Sequence, residues 1–130
     1  MLLPAALLAA MSALAAGPAI AQGEPPIIDV QLTNFAFTPK VINLNAGTTY
    51  TLRLTSVSGG GHSFGAKDFF ARAAIAPSDR AFVRNGAVEV PGRQVRVVHF
   101  TAPRQRGSYR LKCTHALHKT FGMTGTIVVR

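Results

Sequence analysis

One cysteine in 130 residues excludes an internal disulfide, so no cross-link staples this chain. Acidic side chains are nearly as scarce: five Asp and Glu stand against fourteen Lys and Arg, a formal net charge of +9. The carboxylates Asp29, Asp68, Asp79 and Glu89 are scattered and suggest no acid–base pair. Helical periodicity is almost absent, and there is no internal repeat or low-complexity tract. The length fits one domain, which at this size can build a core without disulfides.

The first 21 residues, MLLPAALLAAMSALAAGPAIA, carry no charge and end in the A-x-A pattern Ala19-Ile20-Ala21. They read as a secretory signal peptide, leaving residues 22–130 as the domain and the periplasm as its expected location. Pro4, Gly17 and Pro18 interrupt the apolar run, which falls short of the ~20 residues that a membrane span needs. Export sharpens the meaning of Cys113: it is a buried bystander, an intermolecular link or a functional thiol.

All the charge lies beyond this segment, with Arg93, Arg96, Arg104, Arg106, Arg110 and Lys112 gathered in the last third. Such a surface attracts anionic partners. For an exported protein nucleic acid is not expected; an acidic protein surface or anionic lipid headgroups fit better. Solubility alone is the plainer alternative.

Short alternating runs are punctuated by Gly, Pro and Asn. Ile27–Thr33 and Thr48–Thr55 alternate as half-buried strands do, with Tyr50, Leu52 and Leu54 on one face. Further strands are expected at Lys40–Leu44, Ala87–Val90, Gln94–Ala102, Gly107–Lys112 and Gly125–Arg130. Only Lys67–Ala74 looks helical, with Asp68 as its N-cap. The pattern predicts an all-β, Greek-key β-sandwich of about seven to eight strands, with one short helix in the insert after His62. Phe69 and Phe70, in that insert, are expected to cap the core. His99 shares a strand face with Val95 and Val97 and reads as an ordinary strand histidine.

Chemistry concentrates in one stretch, CTHALHKTFGM, spanning Cys113 to Met123. Cys113 ends one expected strand and Met123 begins the last, so the segment between them is a loop at one pole. A thiolate, an imidazole and a thioether converging there are soft donors that suit copper, and two His, one Cys and a distant axial Met form the blue-copper arrangement. His62, after Gly59-Gly60-Gly61, is the candidate second imidazole. The loop offers both His115 and His118. A Cys–His nucleophilic dyad would lack an oxyanion-hole signature and an orienting third group.

These residues carry a resemblance. Phe37-Thr-Pro39 with Ile42 and Gly47, then His62, then Tyr109-x-x-x-Cys113 leading to His118, Met123 and Gly125-Thr-Ile-Val-Val, resemble the cupredoxin family of small blue-copper proteins across residues 27–130. The resemblance implies one copper ion, Cu(I)/Cu(II), held by His62, Cys113, His118 and Met123. Cys-x4-His and His-x4-Met spacings match family loops and favour His118 over His115. Ser63 departs from the Asn that often follows the first ligand and ties the two ligand loops together. A single cysteine and Lys112 before it do not fit the binuclear or multicopper centres of the wider family, so an enzyme is not expected.

The implied role is a periplasmic, monomeric one-electron carrier exchanging electrons with an acidic redox protein such as a cytochrome. Ala116, Leu117 and Phe121 would form a docking patch beside His118. The alternative is copper buffering or delivery to a copper-accepting protein, with extra capacity from His115. A third reading is a metal-free binding module of the same fold.

Overall fold

Alternation is cleanest where it was most legible. In the strand Thr49–Ser56, Tyr50, Leu52, Leu54 and Ser56 are buried and the residues between them face outward. The computed structural model describes residues 13–18, 23–115 and 122–130. The signal-peptide assignment therefore falls mostly outside the described residues. Among those described, no helix is long and apolar enough to cross a membrane.

The described strands run β1 (Ile27–Thr33), β2 (Ala36–Thr38), β3 (Val41–Leu44), β4 (Thr49–Ser56), β5 (His62–Gly65), β6 (Ala74–Ile75), β7 (Val83–Arg84), β8 (Ala87–Val90), β9 (Val95–Thr101), β10 (Gly107–Lys112) and β11 (Thr124–Val129). Eight of these have four residues or more, as the turn spacing predicts; β2, β6 and β7 are two- or three-residue additions. One sheet has the order β2-β1-β4-β9-β6 and the other β3-β11-β10-β5-β8-β7. The N-terminal strands thus divide between the sheets, β1 parallel to β4 and β3 parallel to β11. On the outer face of the first sheet, Arg53 and Asp29 sit in register and form a two-point ion pair. Both are solvent-exposed, so the pair contributes at most about 1 kcal/mol.

The helix α1 (Lys67–Arg72) is shorter than the sequence suggests, because Ala73 takes extended geometry and the chain enters β6. Its N-cap is Ala66, not Asp68. Asp68 lies within the first turn, where its charge still faces the positive helix end. Phe69 and Phe70 do cap the core: they are 1% and 7% exposed. Phe69 packs edge-on against Phe70, Phe100 and Tyr109, with ring centroids 5.4–5.7 Å apart. The insert is therefore joined to the first sheet through Phe100 and to the second through Tyr109. The Tyr109 hydroxyl in turn donates to the Gln105 carbonyl at 2.6 Å.

A 3-10 helix, Pro77–Phe82, carries a buried Asp79 that meets His99 of β9. Asp79 Oδ2 accepts the His99 backbone N–H at 2.8 Å and lies 2.7 Å from His99 Nδ1, while Ala76 N–H donates to the His99 carbonyl. Burial pushes the Asp79 carboxyl up, but the His99 N–H and imidazole and the Ser78 hydroxyl outweigh it and hold it below its ordinary value. A carboxyl depressed in the folded chain adds stability that is fully present above its unfolded pKa, ~3.9, and lost as pH falls through the folded value. Asp79→Ala should cost about 2 kcal/mol at neutral pH, the scale of hydrogen bonds to a charged group. The deficit should shrink on acidification; urea melts of both proteins from pH 7 to pH 3 check this, and a pH-independent deficit would refute it.

Candidate metal centre

Three of the four residues expected to ligate metal are placed by strand ends. Cys113 follows β10 directly and Met123 precedes β11. The ladder between those strands continues past Lys112 and Thr124, with Cys113 N–H donating to the Met123 carbonyl at 3.0 Å. His62 opens β5, which meets β10 where Gly65 pairs with Lys112. Only glycine fits there, because a Cβ on Gly65 would lie 2.7 Å from the Lys112 carbonyl oxygen. That closeness brings the start of β5 against Cys113. The Ser63 backbone N–H donates to Cys113 Sγ at 3.4 Å, and the Ser63 hydroxyl lies 3.8 Å from the same sulfur.

His62, Ser63, Cys113 and Met123 are each fully buried. Burying an imidazole and a sulfur at one pole calls for a compensating partner, since an unmet polar group in the interior is costly. Part of the compensation is a hydroxyl: Ser58 Oγ lies 2.7 Å from His62 Nε2. With Nε2 so held, metal ligation by this ring would go through Nδ1. The Ser58 loop is itself clamped, since Arg93 N–H donates to the Ser58 carbonyl at 3.1 Å and Ser56 Oγ to the Gly60 carbonyl. Gly92 packs so tightly on this loop that a Cβ there would fall 2.1 Å from the Gly59 carbonyl oxygen.

Ser63 takes over the tie between the ligand loops. Its hydroxyl accepts the Thr114 N–H at 2.7 Å and lies 2.7 Å from Thr114 Oγ1. A shorter side chain than Asn suffices because β5 approaches Cys113 this closely. The Ser63 N–H is aimed at the sulfur, where it would meet the charge of a metal-bound thiolate. Imidazole, thiolate and thioether held in a dry setting fit a copper ion that changes oxidation state.

His118 lies outside the described residues, as do Ala116, Leu117 and Phe121. Among the described residues no three His, Cys, Asp or Glu side chains form one cluster. His115 is partly exposed, with Nε2 3.0 Å from Glu89 Oε2 on β8. Sequence reasoning missed Ser58, the Glu89 contact and Thr114. Ser58 stands four residues before His62, a spacing with no special meaning in a glycine-rich loop.

Residues 27–130 match the family model for copper binding proteins of the plastocyanin/azurin family. No curated protein matches the sequence. Among solved structures, auracyanin B aligns at TM-score 0.59 with 21% identity, covering 85% of this chain and 94% of that one. Auracyanin A, a "blue" copper protein from the green thermophilic photosynthetic bacterium Chloroflexus aurantiacus, aligns at 0.60 with 21% identity, covering 82% and 100%. Dithionite-reduced auracyanin from the photosynthetic bacterium Roseiflexus castenholzii aligns at 0.58 with 19% identity, covering 83% and 99%. At this identity these structures speak for the fold, and the family match speaks for the metal. The chain belongs to the plastocyanin/azurin family of copper-binding proteins, with the cupredoxin β-sandwich and copper as its cofactor.

Proposed function

We propose that the protein is an exported, periplasmic one-electron carrier whose copper is held by His62, Cys113, His118 and Met123. The observation that carries this reading is the full burial of His62, Cys113 and Met123 around the Ser63 N–H to Cys113 Sγ contact. Copper supplies the redox step by passing between Cu(II) and Cu(I). The chain supplies a fixed setting. Cys113 provides the thiolate, Ser63 steadies its charge, and Ser58 orients the His62 ring. The strand ends carrying these groups are tied by backbone hydrogen bonds, so neither oxidation state requires them to move far. Rigid donors of intermediate character suit both states and keep the rearrangement on electron transfer small.

Burial also favours electron carriage over copper buffering or delivery, because donors closed off from water retain a metal rather than pass it on. His115 rests on Glu89 at the surface, which makes it a supporting group rather than extra copper capacity. The arginine-rich surface would steer an acidic redox partner.

Two substitutions decide the fourth ligand. In copper-loaded protein, His118→Ala should remove most of the intense visible thiolate-to-copper band, while His115→Ala should leave it nearly unchanged. Absorption spectra of both variants check this, and the reverse result overturns the choice of His118. A fast, reversible couple in voltammetry supports the carrier role; slow, irreversible responses with ready loss of copper to a chelator would favour handling.

A further inference from the structure

A groove of about 470 Å³ lies beside the Cys113 loop, and none of the expected ligands among the described residues lines it. Its lining includes Phe82, Arg84, Ala87, Glu89, Arg96 and Thr114. The insert builds one wall, β8 the floor, and Thr114 closes the end nearest the sulfur. Both guanidiniums are held in place. Arg96 stacks over the Phe82 ring with its carbon 5.6 Å from the centroid, and Arg84 Nε donates to the Ala81 carbonyl at 3.2 Å. Neither arginine has an acidic partner among the described residues, whereas Glu89 is engaged by His115. Phe82 remains 42% exposed, an aromatic face left open beside two fixed positive charges.

Resting on the electron-carrier reading above, we propose that this groove is the docking site for an acidic segment of the redox partner. Charge complementarity selects the occupant. A second copy of this chain, at +9, would be repelled. Guanidiniums already oriented by a ring and a carbonyl lose little freedom on taking a carboxylate, and their planar forks match it geometrically. Ala87 and Pro91 along the floor and the Phe82 face accept the aliphatic part of the same segment. The position is useful for electron exchange. Thr114 Oγ1 lies 2.7 Å from Ser63 Oγ, which lies 3.8 Å from Cys113 Sγ. A segment pressed against Thr114 is therefore two short contacts from the sulfur, a route distinct from the loop histidine.

The test uses the copper-loaded full chain and a fluorescein-labelled hexaglutamate peptide, read by fluorescence anisotropy in about 0.1 M salt, where the Debye length is about 10 Å. Arg84→Glu with Arg96→Glu should weaken binding about ten-fold or more, since it sets like charge against the peptide. The matched reversal Arg104→Glu with Arg106→Glu, in the loop before β10, should change it by only about two-fold, as distant exposed charges are screened. Arg84→Gln with Arg96→Gln gives the same comparison without introduced repulsion. Equal losses from both reversals would reduce the effect to net charge and overturn the groove. So would binding to phosphatidylserine vesicles that depends on Arg84 and Arg96 while hexaglutamate binding does not, which would point to a lipid surface. The visible band of the same samples reports separately on the copper site: a missing band rejects the carrier reading, whatever the peptide does.

Discussion

Cys113→Ser protein, given copper, is expected to be colourless where the copper-loaded native chain should show an intense visible band. The substitution changes one buried atom, and the surrounding shape is nearly preserved. What disappears is the soft, ionised sulfur. A serine hydroxyl stays protonated at neutral pH and offers a hard oxygen, so neither the charge-transfer band nor the preference for Cu(I) survives. The Ser63 N–H, 3.4 Å from the native sulfur, would face a neutral hydroxyl instead. Copper affinity should fall by more than the ~10–100-fold that follows loss of a group merely supporting a ligand. Absorption spectroscopy reads the band, and competition with a Cu(I) chelator reads the affinity. A retained band would remove Cys113 from the site.

The second large effect is structural. Phe69→Ala should cost about 3–5 kcal/mol, the usual range for deleting a buried Phe ring. The site has little room to collapse, because three aromatic neighbours surround the ring and come from the helix and from both sheets. Loss of those edge-on contacts adds to the cavity. For a domain of this size the melting temperature should drop by about 15 °C or more. Phe82→Ala, at an exposed ring, should stay within about 0.5 kcal/mol of native. Urea denaturation of the copper-free proteins separates the two; similar losses would mean that Phe69 does not join the sheets as described.

How much was legible depended on whether a feature is local. Period-two alternation exposes β1 and β4 because one face of each is buried. The ends of β10 and β11 could be inferred because Cys113 and Met123 bracket a stretch with no strand alternation. The parallel pairings of β1 with β4 and β3 with β11 leave no local mark, since they join segments far apart in sequence. The strands β6 and β7 are too short to show a period. Asp68 had the right chemistry for a cap, yet the helix begins at Lys67 with Ala66 as its cap, and Phe69 and Phe70 turn inward. Hydrogen-bond partners were the least legible layer. Ser58, Thr114 and Asp79 are ordinary polar residues until folding brings His62, Ser63 and His99 to them.

The Asp79 contact has a consequence for behaviour at high concentration. The strand β9 has β4 along one side, but along the other β6 pairs only with Phe100 and Thr101. At His99 the backbone groups on that side are occupied by the Asp79 carboxylate and the Ala76 amide. A side chain thus stands where a neighbouring strand would otherwise bind, which is one way a β protein keeps other chains from adding to its rim. Protonating or removing that carboxylate opens a docking point for strand addition. Acid is then expected to make this sheet edge a template for self-association before the core itself unfolds.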